Sequence, residues 1–292
     1  MLRVRDVFRM LKAYISCNAP PALVVGISLG GKNPPSSLRQ KHRRVAAFFL
    51  LILGLAVILL ALGGYSADLL FVLAVAPSSY LLWHFYHADK YRHESLRLLF
   101  FTFAIGAGMS VVAGIIESPY NQPSPEASIL ILFLYFLLGI GLVEEVSKYL
   151  AVRVYAYRSA HFDEAIDGIV FGVAAALGFA TVENILYVFQ FGIVTGVVRA
   201  IVTVPGHAFW GAIMGFYLGQ AKVQNKPTLV VQGLGIAALF HGLFDTLSTI
   251  LPDLVGLVAL TAFVWLTYAK VVRHEIRTAE AELPFGSSPN SC

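Results

Sequence analysis

Apolar runs of about twenty residues recur along this chain, and each is long enough for a helix to cross the hydrocarbon core of a bilayer. Of the 292 residues, 58% are hydrophobic and 13% are charged, whereas a soluble domain has about 45–50% apolar and about 25% charged residues. The pattern predicts an all-α protein, a polytopic transmembrane helix bundle with about eight spanning helices. The candidate spans are residues 45–64, 67–87, 95–116, 127–157, 164–190, 194–221, 228–251 and 254–273.

The distribution of Lys and Arg among the loops predicts the orientation of these spans. Basic loops alternate with loops that contain no Lys or Arg, which lie near residue 65 and at 117–126, 191–193 and 252–253. Because cytoplasmic loops carry the excess of Lys and Arg, we expect every basic loop and both termini in the cytoplasm. The net charge of +4 is spread over these loops and not gathered on one surface, so nucleic-acid binding is not expected.

The chain divides into three regions by composition. Residues 1–44 are predicted to form a cytoplasmic basic amphipathic segment and a linker, because apolar residues recur there at helical spacing among Arg and Lys. Residues 45–273 are predicted to form the transmembrane bundle. Residues 274–292 are predicted to be a disordered cytoplasmic tail, since they are acidic and then rich in Ser and Pro.

Ionisable side chains inside the apolar runs are concentrated in the second half of the chain. A charged side chain at the bilayer centre costs about 2.5–3.5 kcal/mol on the insertion scale, so it usually has a partner or a function. The polar residues of this kind are Glu144, Glu145 and Lys148 in span 127–157, Glu183 and Asn184 in span 164–190, Arg199 and His207 in span 194–221, and His241 and Asp245 in span 228–251.

Four of these residues are expected to lie at one depth in the membrane. At about 1.5 Å of rise per residue, Glu144, Glu183, His207 and His241 each lie about 21–24 Å from the cytoplasmic end of their span. Their helices run in alternating directions, so the agreement is not a consequence of chain order. The depth of the four side chains therefore predicts a single site.

Spacing within two of the helices predicts pairs of side chains. Glu144 and Lys148 are four residues apart, as are His241 and Asp245, so each pair shares a helix face. We expect Asp245 to accept a hydrogen bond from one nitrogen of His241 and to leave the other nitrogen for a substrate. Arg199 is expected to be structural and to neutralise one of the acids or to reach the membrane surface.

The residues alone leave more than one function open. Buried acids and histidines suit a hydrolytic site, but they also build the proton relays of proton- or ion-coupled transporters. A scaffold that binds the transmembrane helix of a partner is a third interpretation. The sequence shows no inverted repeat and no pair of broken helices of the kind common in transporters.

Four motifs resemble those of the PrsW family of glutamic-type intramembrane proteases, which is related to type II CAAX prenyl endopeptidases and bacterial self-immunity proteins. The resemblance covers about residues 75–250. The motifs are Glu144-Glu145-x-x-Lys148, Phe179-x-x-x-Glu183-Asn184, His207 with Ala208-Phe209, and His241-x-x-x-Asp245. The last motif of the relatives often ends in Asn, where this chain has Asp245.

The resemblance implies a multi-pass protein of a bacterial cell membrane that hydrolyses a peptide bond of a membrane-anchored protein or peptide, for example an anti-sigma factor. The catalytic helices would lie within residues 127–251. Water activated by a glutamate would attack the peptide bond. By this resemblance Glu144 would be the general base, Glu145 or Glu183 would hold the water, and His207 would orient it. His241 would stabilise the oxyanion, and Asp245 would orient His241. The supporting residues would be Lys148, Asn184 and Phe179.

The same side chains also allow a zinc-dependent version of this protease. Glu144, Glu183, His207 and His241 offer oxygen and nitrogen ligands that zinc accepts, and one coordination position would remain for water. No His-Glu-x-x-His motif is present in the sequence. The prediction is therefore an enzyme without a cofactor, with zinc and the transporter as the alternatives.

Overall fold

The computed structural model describes residues 67–87, 94–119, 123–124, 127–251 and 253–281, and all regular structure in these ranges is helical. The predicted first span at residues 45–64 and the segment 1–44 lie outside the described residues. Within the described part, seven helices are long and apolar enough to cross a membrane. They are α1 (Ala67–Tyr86), α2 (Leu96–Glu117), α3 (Ile129–Arg158), α4 (Ala165–Phe191), α5 (Ile193–Val223), α6 (Thr228–Ile250) and α7 (Asp253–Ala281).

These helices agree with the corresponding predicted spans, except at the end of α7. The predicted span ends at residue 273 with a disordered tail after it, but the structure continues α7 as an amphipathic helix over Arg273–Ala281. Glu275 and Ala279 are buried in this segment, which packs against α4 and α5. The prediction of disorder is therefore wrong for residues 274–281, because one face of the segment, with Glu275 and Ala279, is buried against α4 and α5. Residues 282–292 lie outside the described residues.

Helix α4 is the centre of the described bundle and packs against α1, α2 and α5. Its contact with α5 depends on glycine, since a Cβ atom added at Gly172 would collide with the carbonyl oxygen of Gly211. A Cβ at Gly215 would likewise collide with the carbonyl oxygen of Gly168. Small residues of this kind let helix backbones approach closely in a membrane. This close approach brings the polar groups of α4 and α5 within contact distance.

Two π-helical turns lie just before polar residues of the bundle. Tyr135–Gly141 is π-helical and precedes Glu144 in α3, and Arg199–Thr203 is π-helical and precedes His207 in α5. A π-helical turn holds an extra residue and so rotates the next part of the helix about its axis, and such turns are frequent at functional sites. The two turns thus set the direction in which the polar side chains of α3 and α5 point.

Helix α6 meets α3 at the level of these polar residues. A Cβ atom added at Gly242 would lie 2.7 Å from Cα of Leu137, which is part of the π-helical turn in α3. A Cβ at Gly141 would lie 3.1 Å from the carbonyl oxygen of Ala238. His241 precedes Gly242 in the chain, so the close contact of Gly242 with α3 places the imidazole of His241 beside the polar face of α3.

Candidate functional site

Helices α3, α4, α5 and α6 each contribute a polar side chain to one buried cluster. His207 Nδ1 lies 3.8 Å from Glu144 Oε2, and His207 Nε2 lies 3.1 Å from Glu183 Oε2. His241 Nε2 lies 3.7 Å from the same Glu144 oxygen. The structure therefore brings together the four residues that are predicted to lie in one layer of the membrane.

Lys148 connects the acids of α3 to the histidine of α5. Its Nζ atom donates to Glu144 Oε2 at 3.2 Å, to Glu145 Oε1 at 2.7 Å and to His207 Nδ1 at 2.8 Å. The ammonium also lies 4.7 Å from the ring centre of Phe179, a cation–π contact. The lysine side chain is completely buried. Its predicted pairing with Glu144 is observed, and the link to His207 is an addition from the structure.

His241 is hydrogen-bonded to Glu145, and not to Asp245 as the sequence predicts. His241 Nδ1 donates to Glu145 Oε1 at 3.0 Å, whereas Asp245 Oδ2 lies 3.6 Å from His241 Nε2, which is beyond good hydrogen-bond distance. Since a carboxylate only accepts, Nδ1 carries a proton, and Nε2 faces the carboxylates of Glu144 and Asp245. The expected hydrogen bond from His241 to Asp245 is not formed, because spacing along α6 cannot reveal a closer carboxylate on α3. The catalytic role expected for Asp245 stays a prediction.

Trp210 completes the surroundings of His241, and it is absent from the residues predicted from the sequence. Its indole ring stacks on the imidazole of His241 with a centroid distance of 4.4 Å and an interplanar angle of 24°. Trp210 lies one helical turn after His207 on α5, so the two share a face. That spacing is a signal from which Trp210 could have been found.

Glu183 and Asn184 are fixed by Arg199. Arg199 Nη2 donates to Glu183 Oε2 at 3.2 Å, and Arg199 Nε donates to Asn184 Oδ1 at 2.9 Å. Asn184 Nδ2 donates to the carbonyl oxygen of Ala74 at 2.7 Å, and the residue is fully buried. Arg199 therefore pairs with an acid as expected, but Asn184 has its hydrogen bonds taken up inside the protein. The supporting role in catalysis expected for Asn184 stays a prediction.

Three glutamates of the cluster differ in how strongly they are held. Glu145 accepts hydrogen bonds from Lys148 and His241 through Oε1, while its Oε2 has no hydrogen-bond partner among the described residues. Glu183 contacts both Arg199 and His207. Glu144 accepts its hydrogen bond from Lys148 at 3.2 Å. Glu144 is the least constrained of the three, and its carboxylate faces Nε2 of His241.

Donor atoms of Glu144, His207 and His241 lie within 4.8 Å of one another, as the ligands of one metal ion would. Zinc bonds of about 2.0–2.1 Å place tetrahedral ligands about 3.4 Å apart, and two measured separations are 3.8 and 3.7 Å. However, the Lys148 ammonium has no lone pair and can only donate, so its contact uses the lone pair of His207 Nδ1. The ring proton of His207 then lies on Nε2, which faces Glu183. The spacing fits a metal, but this hydrogen-bond arrangement leaves His207 without a free donor atom.

A family model described as "PrsW family intramembrane metalloprotease" matches residues 94–271. The chain is 35% identical over 182 residues to Protease PrsW of Bacillus subtilis (strain 168), an alignment that covers 61% of this chain and 82% of that protein. It is 35% identical over 176 residues to Protease PrsW of Halalkalibacterium halodurans, covering 60% and 80%. For Protease PrsW of Clostridioides difficile (strain 630), the identity is 31% over 185 residues, covering 60% and 77%.

No solved structure gives a significant match to this chain. The matched region, residues 94–271, contains every member of the polar cluster from Glu144 to Asp245. The relatives are bacterial proteases, and seven described helices have the length and composition of membrane spans. This chain, a multi-pass bacterial membrane protein with peptidase function, belongs to the PrsW family of intramembrane proteases.

Proposed function

We propose that this chain is an intramembrane endopeptidase that cuts a membrane-anchored protein with water activated by Glu144. The observation that carries the proposal is the 3.7 Å separation between Glu144 Oε2 and His241 Nε2. A water about 2.8 Å from each atom can bridge them. Two acceptors would then face one water, which is the arrangement needed to hold it and to remove its proton.

Glu144 is the proposed general base because the other two glutamates are already engaged. Glu145 holds Lys148 and His241, and Glu183 holds Arg199 and His207. A carboxylate with several donors around it is a weaker base than one with a single donor. We therefore assign positioning roles to Glu145 and Glu183, and the proton transfer to Glu144.

His241 is the proposed group that assists the scissile carbonyl. Its Nε2 atom faces Glu144 Oε2 at 3.7 Å, so it would take the water proton from Glu144 and donate it to the developing oxyanion. Glu145 fixes the ring through Nδ1, and Trp210 covers one face of the imidazole. Asp245, whose side chain is 20% exposed, lies at the open edge of the cluster, beside Nε2.

The proposed substrate class is a protein anchored in the same membrane. The cluster is buried among membrane-spanning helices, so a peptide bond within or beside a transmembrane segment is the kind that it can meet. The family resemblance suggests regulated proteolysis, with a membrane-bound anti-sigma factor as the first substrate to test. The protease names of the relatives support this class over the transporter interpretation.

A zinc-dependent version is the second candidate, favoured by the donor triad and by the wording of the family description. The cluster also has four acids, Glu144, Glu145, Glu183 and Asp245, against two cations, Lys148 and Arg199. A bound divalent ion would offset such an excess of negative charge. The hydrogen bond from Lys148 to His207 opposes this candidate.

The test is cleavage of a defined membrane-anchored peptide by protein purified in detergent, with and without chelator. Glu144→Gln should abolish cleavage while the thermal unfolding midpoint stays unchanged, because the amide keeps the shape of the side chain but removes the base. Asp68→Asn is the matched control, since Asp68 is an exposed acid at the start of α1. Full activity of Glu144→Gln would end the proposed mechanism, and a chelator effect reversed by zinc would establish the second candidate in its place.

We also propose that both termini are cytoplasmic, with residues 1–44 and 282–292 on the same side of the membrane. If all seven described helices cross the membrane, residues 67 and 281 lie on opposite sides, so the proposed orientation requires a further span at residues 45–64. Cys17 and Cys292, the two cysteines of the chain, lie near its two ends. A membrane-impermeant maleimide should label both in inverted vesicles and neither in intact cells. Labelling of just one cysteine in intact cells would contradict the even number of spans.

A further inference from the structure

Lys148 is fully buried and contacts three residues of the cluster. Two of them, Glu144 and His207, belong to the candidate metal triad, and the third, Glu145, follows Glu144 in the chain. Its Nζ atom lies 3.2 Å from Glu144 Oε2, 2.7 Å from Glu145 Oε1 and 2.8 Å from His207 Nδ1. We propose that the Lys148 ammonium is the resident cation of the cluster and that it prevents a metal from binding at Glu144, His207 and His241. Removing its charge would turn these three residues into a metal site.

The hydrogen-bonding capacity of His207 is the first obstacle to a metal. A neutral imidazole has one lone pair and one N–H group. Lys148 donates to Nδ1, so the proton lies on Nε2, which faces Glu183 Oε2 at 3.1 Å. Both nitrogens of His207 are therefore occupied by protein groups while Lys148 stays in place.

The charge of Lys148 is the second obstacle. The ammonium is within 3.2 Å of the carboxylate that a metal would need, and it is shielded from water with an exposure of 0%. A divalent ion at the triad would meet a positive charge a few ångströms away in a medium of low dielectric constant. Lys148 thus opposes metal binding in two ways, by its charge and by its use of the His207 lone pair.

The geometry that remains when Lys148 is taken away suits a metal. The freed His207 Nδ1 lies 3.8 Å from Glu144 Oε2, and the lone pair on His241 Nε2 lies 3.7 Å from the same oxygen. Contraction by about 0.3–0.4 Å would give the spacing of tetrahedral zinc ligands. Glu145 already accepts from His241 Nδ1, and Glu183 already faces His207 Nε2, so each imidazole has the outer carboxylate that metal-bound histidines usually have.

This inference deepens the proposed function and rests on it for the claim that cleavage proceeds without a metal. Its test is read from bound metal and not from cleavage, so the two can fail separately. Wild-type protein, washed with chelator, is mixed with Co²⁺ as the probe. Bound cobalt is measured by mass spectrometry after dialysis and by the visible absorption of tetrahedral Co²⁺.

The variants separate the charge of Lys148 from its size. Lys148→Met combined with Glu145→Gln removes one cation and one anion, and keeps an acceptor for His241 Nδ1. It should bind about one Co²⁺ per chain, because Glu144, His207 and His241 then form a single three-donor site. Lys148→Met alone should do the same if it folds. Lys148→Arg, which keeps a cation beside His207, should bind none, as should the wild type.

Two controls confirm that the cobalt is at the proposed site. Adding His207→Ala to the double variant should remove the bound metal. Trp210 stacks on His241 at 4.4 Å, so Co²⁺ on His241 should quench its fluorescence in the double variant. The proposal is overturned if wild-type protein binds a full equivalent of Co²⁺ that His207→Ala abolishes, a measurement that needs no Lys148 variant. It is also overturned if the folded double variant binds none.

Discussion

The two halves of the polar cluster differ in how fully their charges are paired. In the paired half, each side chain has a partner of opposite charge or a hydrogen bond across helices. This half consists of Glu145, Lys148, His207, Glu183, Arg199 and Asn184. In the open half, which consists of Glu144, Asp245 and Nε2 of His241, the atoms are 3.6–3.7 Å apart and form no hydrogen bond with one another. Among the described residues, Glu144 has a single ion pair with a lysine or arginine, to Lys148 at 3.2 Å.

The difference shows how a membrane protein can keep a reactive carboxylate at membrane depth. Isolated charges there are costly, so most of the cluster has to be neutralised by partners supplied from neighbouring helices. The paired half does this and also holds the backbones of α1, α3, α4 and α5 in register. The open half is left with groups that can bind water and substrate.

The largest expected effect comes from breaking the paired half at Arg199. Replacing Arg199→Met leaves Glu183 with His207 as its partner and leaves Asn184 Oδ1 without its donor. Removing one member of a buried ion pair costs about 3–5 kcal/mol. We expect that loss in the free energy of unfolding, measured by titration with denaturing detergent.

Adding Glu183→Gln to Arg199→Met should recover part of the loss, because the unpaired charge disappears. Glu144→Gln is the comparison from the open half, and its unfolding free energy should stay within about 1 kcal/mol of wild type, the value of an ordinary hydrogen bond. An equal loss of stability in both variants would erase the distinction between the two halves.

The next effect is expected at Glu145, which links the halves through His241. Glu145→Gln keeps an acceptor for His241 Nδ1 but weakens it by removing the charge. A hydrogen bond to a charged group is worth about 1–1.5 kcal/mol more than a neutral one, which corresponds to about 5–13-fold in rate. We expect that decrease in kcat, with a smaller change in KM, in the peptide-cleavage assay. A loss confined to KM would indicate that Glu145 contacts the substrate directly.

A smaller effect is expected at Trp210, which stacks on His241. Trp210→Phe should keep most of the activity because a ring still covers the imidazole, whereas Trp210→Leu removes the stacking. An aromatic pair is worth about 0.5–1.5 kcal/mol beyond burial, which corresponds to a decrease of about 2–10-fold in kcat/KM. Equal activity of the two variants would show that ring stacking is not what Trp210 contributes.

The fold and the layer of the site can be predicted from the sequence because both depend on properties that one helix carries by itself. Apolar runs give the spans, and rise per residue gives depth, so the sequence alone is enough to place Glu144, Glu183, His207 and His241 at one level. The small residues Gly211 and Gly215 are of the kind that lets helices approach closely in a membrane, and they lie where α5 meets α4.

The hydrogen-bond partners within the site cannot be predicted in this way where the two partners of a bond lie on different helices. Spacing along α6 pairs His241 with Asp245, but Glu145 on α3 is closer. The π-helical turns at Tyr135–Gly141 and Arg199–Thr203 rotate the side chains that come after them, and neither hydropathy nor helical spacing indicates such turns. Asn184 is similar, since its partners come from α1 and α5.

The smallest effect is expected at Asp245, and it decides which carboxylate orients His241. The two residues are four apart on α6, and a pair of this kind is worth about 0.2–0.5 kcal/mol, so Asp245→Asn should change kcat/KM by about twofold. If Glu145 holds the imidazole, Glu145→Gln must lower kcat more than Asp245→Asn, because the Nδ1 bond at 3.0 Å is shorter than the Nε2 contact at 3.6 Å. A larger decrease of kcat in Asp245→Asn than in Glu145→Gln would assign the orienting role to Asp245. It would mean that Asp245 moves closer to His241 when substrate binds.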